Sequence, residues 1–166
     1  MKKLPLVKYI IFVGAILFGI GLDQLTKFLA VRFLEPVHSV PILKGVLHLT
    51  YVENTGAAFG MLKDARWVFM IVSTVAIIGL LIYLFSGRVP NPLYEVSIIM
   101  IISGGIGNMI DRIALGYVVD FIDFCLIDFA VFNGADSFVS VGAVLLVFAL
   151  LIDIFMDSKK GNKNAN

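Results

Sequence analysis

Charge is scarce in this 166-residue chain: 15% of its residues are charged and 60% are hydrophobic, with a mean hydropathy of +0.99. Those proportions exclude an ordinary water-soluble domain and identify an integral membrane protein. The net charge of +1 gives no sign of a nucleic-acid partner. The single cysteine, Cys125, excludes an internal disulfide, argues against a cysteine-ligated metal site, and reads as a small apolar filler. No polar linker, internal repeat or low-complexity tract divides the chain, so residues 1–166 read as one membrane-embedded domain. His38 and His48 lack neighbours at metal-ligand spacing, so neither a metal nor a cofactor is expected. There is also no serine–histidine or cysteine–histidine arrangement for covalent catalysis.

What is present is apolar length. A membrane helix needs roughly 20 mainly apolar residues, and four segments approach that, at about 4–22, 68–85, 93–110 and 137–156. The first carries Lys8, long enough to snorkel to the headgroups. The second is bracketed by Trp67 and Tyr83. The third follows Asn91-Pro92, a helix-start signal, with Glu95 in its favourable first turn. The expected fold is an all-α polytopic membrane protein with four transmembrane helices. Its basic, apolar N-terminus lacks an A-x-A cleavage site at Gly21-Leu22-Asp23-Gln24 and reads as an uncleaved first span.

An even number of spans puts both termini on one side. Lys2, Lys3, Lys8, Arg88, Lys159, Lys160 and Lys163 crowd that side, whereas Lys27, Arg32, Lys44, Lys63, Arg66 and Arg112 are spread through two longer connections. The denser set marks the cytoplasmic side. The first outer connection contains Val46 to Glu53, a β-rich stretch flanked by Pro36, Pro41 and Gly45, which predicts a small strand element. Asn54-Thr55-Gly56-Ala57-Ala58-Phe59-Gly60 follows, its small residues permitting close backbone approach. The second, Ile113 to Ala135, is too apolar for a solvated loop and reads as an amphipathic strip in the interface.

The polar residues are lopsided. Asp23, Asn54, Asn108, Asp111, Arg112, Asp120, Asn133 and Asp136 all fall at the outer ends of spans or in the outer connections. Individually they have bland readings. Asp23 and Lys27 are spaced for a helix-surface ion pair. Asn108 and Asp111, beside the glycines of 103–107, serve equally well to bond neighbouring helices. Arg112 points away from Asp111, toward another acid or a lipid phosphate. Asn133 and Asp136 match an N-cap and N3 pair. Asp123 and Asp128 read as interfacial charges, and Glu95, Asp153 and Asp157 as helix-end or solvated ones. Those readings explain poorly why so many carboxylates and amides share one membrane depth. Two carboxylates held close share a proton, so one can activate water while the other donates to a carbonyl oxygen.

Five ordered blocks now carry a resemblance: Asp23-Gln24-Leu25-Thr26-Lys27, Asn54-Thr55-Gly56-Ala57-Ala58-Phe59, Gly107-Asn108-Met109-Ile110-Asp111-Arg112, Val118-Val119-Asp120-Phe121 and Phe132-Asn133-Gly134-Ala135-Asp136. Together they resemble bacterial lipoprotein signal peptidases. The resemblance implies an aspartic endopeptidase of the bacterial plasma membrane that cuts a prolipoprotein before its diacylglyceryl-modified cysteine. It assigns the catalytic pair to Asp120 and Asp136, and site-shaping or substrate-holding roles to Asn54, Asn108, Asp111, Arg112 and Asn133. Asp23, Lys27 and Gly56 are expected to support the fold. It also implies contact with membrane lipids and inhibition by cyclic-peptide antibiotics such as globomycin. Gly134 departs from the family's usual aliphatic residue and loosens that turn.

From the residues, Asp136 at a helix start is favoured as the base and Asp120, in an apolar strip, as the proton carrier. The alternatives are a transporter or channel subunit, which needs polar groups through the full membrane thickness, and a metal-dependent head-group transferase, which needs more acids at helical spacing.

Overall fold

The computed structural model describes residues 4–56, 66–127 and 129–163, without the side chains of 66, 69 and 157–163. The run from Ala57 to Gly60, Lys2, Lys3, Lys63 and Asp128 lie outside the described residues, as do the side chains of Arg66, Asp157, Lys159, Lys160 and Lys163.

Among the described residues there are four α-helices: α1 (Leu6–Phe33), α2 (Arg66–Phe85), α3 (Pro92–Ala114) and α4 (Gly134–Lys163). Three of them, α1, α3 and the Gly134–Met156 part of α4, are long and apolar enough to cross a membrane; the apolar part of α2, Met70–Phe85, is shorter. Large side chains such as Leu6, Phe18, Val75, Ile82, Val144 and Phe155 stand exposed. In water such a surface would aggregate, and in lipid it is solvated. The chain is a polytopic membrane protein.

The helix starts follow local chemistry. At α3, the Asn91 side chain accepts hydrogen bonds from Leu93 N at 3.0 Å and Tyr94 N at 3.4 Å, with Pro92 in the first turn. At its other end Gly116, at φ +90°, lets the chain turn out of the helix. The first helix corrects the expected boundary at Leu22, because it continues 11 residues further to Phe33. Its buried residues are Phe12, Ile16, Gly19, Asp23, Lys27 and Ala30. At spacings of three and four they form one inward stripe, so the polar pair belongs to the packed face.

Helix α3 is the hub, packed against α1, α2 and α4. Its approach to α4 depends on Gly104: a Cβ there would lie 2.3 Å from the Ala135 carbonyl oxygen. The obstacle is backbone, so Gly104→Ala is expected to separate the helices and cost about 3 kcal/mol, the upper end of the usual overpacking range. A drop in the detergent melting temperature checks this.

The predicted strand at Val46 to Glu53 is present as β2 (Leu47–Asn54), joined by β1 (Ser39–Leu43) and β3 (Val118–Asp123) in an antiparallel sheet ordered β1-β2-β3. Strand β3 corrects the expectation for the second connection: instead of an interfacial strip throughout, it contributes a strand with Val118, Val119 and Asp120 fully buried. A three-residue 3-10 turn at Cys125–Ile127 follows. Val52 opposes Asp120 and Asn54 opposes Val118, placing Asn54 diagonal to Asp120 on one face.

Candidate active site

Asp120 and Asp136 line one cavity of about 540 Å³, together with Asn54, Gly56, Asn108 and Arg112. Its apolar wall is Val118, Val141 and the segment from Phe129 to Phe132. A second recess of about 250 Å³ reaches Asp136, Arg112 and Asn108 from the side of α2. Asp136 therefore opens to both spaces, whereas Asp120 opens to the larger one.

Both carboxylates are held by amides. Asp120 receives Asn54 Nδ2 at 2.9 Å and Asn133 Nδ2 at 2.6 Å, one on each oxygen. Asp136 receives Asn108 Nδ2 at 2.7 Å on Oδ1 and the Asn133 backbone N–H at 3.3 Å on Oδ2. In return Asn133 Oδ1 accepts the Asp136 backbone N–H at 2.9 Å, the reciprocal cap expected from the sequence. One fully buried asparagine thus touches both acids and starts α4.

The amide orientations are set from behind. Asn108 Oδ1 accepts from Lys27 Nζ at 2.9 Å and from Asn133 Nδ2 at 3.1 Å, which leaves its own Nδ2 for Asp136. Asn54 Oδ1 accepts the Gly56 backbone N–H at 3.0 Å, which turns its Nδ2 to Asp120.

Beneath lies an ionic layer. Lys27 Nζ sits 3.0 Å from both Asp23 Oδ2 and Asp111 Oδ2, with all three residues buried. Asp23 Oδ1 accepts the Ala135 backbone N–H at 2.8 Å, and Asp111 Oδ2 accepts the Val119 N–H at 3.1 Å. The carboxylates thereby tie α1 and α3 to the residues just before Asp136 and Asp120. The simple surface ion pair between Asp23 and Lys27 is corrected: burial and a second acid make it an internal network. Arg112 donates to the Asn108 carbonyl at 3.3 Å and lines both recesses with Asp136, so it faces the site rather than lipid.

Gln24, absent from the candidate residues above, donates its Nε2 to Asp111 Oδ1 at 3.0 Å and to the Gly107 carbonyl at 3.2 Å. An uncharged amide one residue from Asp23 in an apolar helix was the available signal. Ser137, next to Asp136, and Ser140, one helical turn beyond it, are also in the cavity wall.

Burial raises the Asp120 carboxyl to about 7; the Asn54 amide opposes the rise, Asp136 adds to it, and Asn133 and Lys27 oppose it. An acid with so raised a value is neutral over part of the physiological range and can donate a proton there.

Comparison with known proteins identifies the family. The profile of the signal peptidase (SPase) II family matches residues 15–152, which contain all of these side chains. The chain belongs to the signal peptidase II family. A lipoprotein signal peptidase of Caldanaerobacter subterraneus subsp. tengcongensis is 52% identical over 134 residues, 81% of this chain and 91% of that one. One from Clostridioides difficile is 46% identical over 149 residues, 90% and 98% of the two chains. A solved bacterial membrane enzyme superposes with a TM-score of 0.80 at 32% identity, covering 93% of this chain and 94% of the other. Membership of the signal peptidase II family makes a membrane protease the frame for the site.

Proposed function

We propose that this signal peptidase II family member is an aspartic endopeptidase that removes the signal peptide from prolipoproteins, cutting before the diacylglyceryl-modified cysteine with Asp120 and Asp136 as its catalytic pair. The observation that carries the reading is the shared asparagine: Asn133 holds Asp120 through its side chain and Asp136 through its cap, on the wall of one cavity.

Asp136, reached from both recesses, takes a proton from water as that water attacks the scissile carbonyl. Asp120 gives its proton to the carbonyl oxygen, forming a gem-diol. On collapse the C–N bond breaks as the proton held by Asp136 passes to the leaving nitrogen, and Asp120 recovers a proton from the gem-diol hydroxyl that becomes the carbonyl of the new carboxyl group. No covalent intermediate forms, and both acids return to their starting states. The asparagines place the acids, Arg112 supplies positive charge at the mouth, and the apolar wall from Phe129 to Phe132 suits a lipid-linked segment.

The reading includes four crossings, with α2 as the fourth, both termini in the cytoplasm and the site near the outer face of the bacterial plasma membrane. Lys27 and Arg112 are committed to internal contacts, so neither belongs to the loop charges that set orientation. Removing them from the outer set widens the bias toward cytoplasmic termini. Inhibition by cyclic peptides such as globomycin follows from the same reading.

The test is cleavage of lipidated and unlipidated precursor side by side. Cleavage of the lipidated form with chelator present supports the proposal; equal cleavage of both rejects it. The pH dependence has a defined sign. Because burial raises Asp120 to about 7, its proton is present below that pH and lost above it. The ratio kcat/KM is therefore expected to fall about tenfold per unit above that point. A rate still rising through pH 8 would remove the proton from Asp120.

A further inference from the structure

The register of β2 on β3 places His48 directly opposite Asp123. Asp123 is three residues from Asp120 in a strand without a bulge of its own, so the two acids project from opposite faces of the sheet. On that far face the chain then enters the 3-10 turn at Cys125. An imidazole nitrogen, a carboxylate oxygen and the Cys125 sulfur come within 4.8 Å of one another, on partly exposed residues open to an entering ion. Chain spacing hides this group, since His48 lies more than 70 residues from the other two.

The donor set is chemically selective. Imidazole, thiolate and carboxylate are the three zinc-ligand types, and three protein ligands with an open position make a four-coordinate site. Bond lengths of about 2.0–2.3 Å set such ligands roughly 3.3–3.8 Å apart, so small side-chain movements close the group around an ion. An outer contact already orients one ligand, since the Thr50 hydroxyl donates to Asp123 Oδ2 at 2.8 Å, while metal binding through His48 would exchange the proton on its ring and release the contact that Nε2 accepts from the Gly45 N–H.

The position connects to the cavity. Ile122, next to Asp123, exchanges hydrogen bonds with Phe132 at 2.8 and 3.0 Å, and Phe132 is part of the cavity wall. We propose that His48, Asp123 and Cys125 form a binding site for a zinc-class transition-metal ion that staples β2, β3 and the following turn, outside the catalytic chemistry. Binding replaces the thiol proton with the metal.

Cobalt(II) tests this optically, independently of any peptidase activity. Full-length protein without a histidine tag, in detergent, is titrated with the metal alone. The expected result is a thiolate-to-cobalt absorption that saturates at one ion per chain and disappears on adding zinc. Cys125→Ser should abolish it, and His48→Ala or Asp123→Asn should raise the half-saturating concentration about tenfold or more. No such absorption in the unmodified protein, or one that His48→Ala and Asp123→Asn both leave unchanged, overturns the site.

Discussion

Purified protein carrying Asp120→Asn or Asp136→Asn is expected to cleave a lipid-modified precursor roughly 10²–10⁴-fold more slowly, the range a positioned proton donor or acceptor contributes. The asparagine removes more than a proton. Both Asp120 oxygens accept amide N–H groups, from Asn54 and Asn133, and an asparagine at 120 would set its own NH₂ against one of them. At 136 it would have one oxygen for two donors, Asn108 Nδ2 and the Asn133 backbone N–H. Some loss of stability accompanies the loss of rate, so each variant's melting temperature is compared with its turnover. Normal turnover by either would sink the dyad.

The largest effect on stability is expected at Lys27, which no reacting atom need touch. Lys27→Met leaves Asp23 and Asp111 buried without their shared cation. Breaking a buried pair by deleting one partner costs about 3–5 kcal/mol, because the remaining charge cannot regain water. The amide of Asn108 also loses the contact that orients it toward Asp136. A marked fall in the detergent melting temperature is the measurement. Adding Asp23→Asn or Asp111→Asn to Lys27→Met is expected to recover part of the loss, since each removes one uncompensated charge. A double variant no more stable than Lys27→Met would show that the network is not electrostatic in origin.

How much of this was legible in the chain differs from residue to residue. The start of α3 at Asn91-Pro92 and the cap formed by Asn133 and Asp136 were readable, because capping is a contact between near neighbours. Strand β2 announced itself through β-favouring residues. Strand β3 did not: buried on the inner side and pinned to β2 on one edge, it reads in sequence as one more apolar strip, and only its partner makes it a strand. The extension of α1 beyond Leu22 was hidden for a related reason. Asp23 and Lys27 look like the end of a span until Asp111 and Asn108, more than 80 residues away, bond Lys27 and the Ala135 N–H bonds Asp23.

The sequence by itself determined the solvent of this protein and the chemistry available to it. Transfer of side chains into lipid is a property of each segment, and five short blocks carry the reactive groups in order. Tertiary structure decided which groups meet. It placed Asp120 and Asp136 on either side of one asparagine, turned a surface-spaced ion pair into the buried support beneath them, and brought a lone cysteine to a histidine and an aspartate. Those outcomes depend on strand register and on helix faces that approach within a missing Cβ, and such long-range geometry is set by packing rather than by the spacing of residues along the chain.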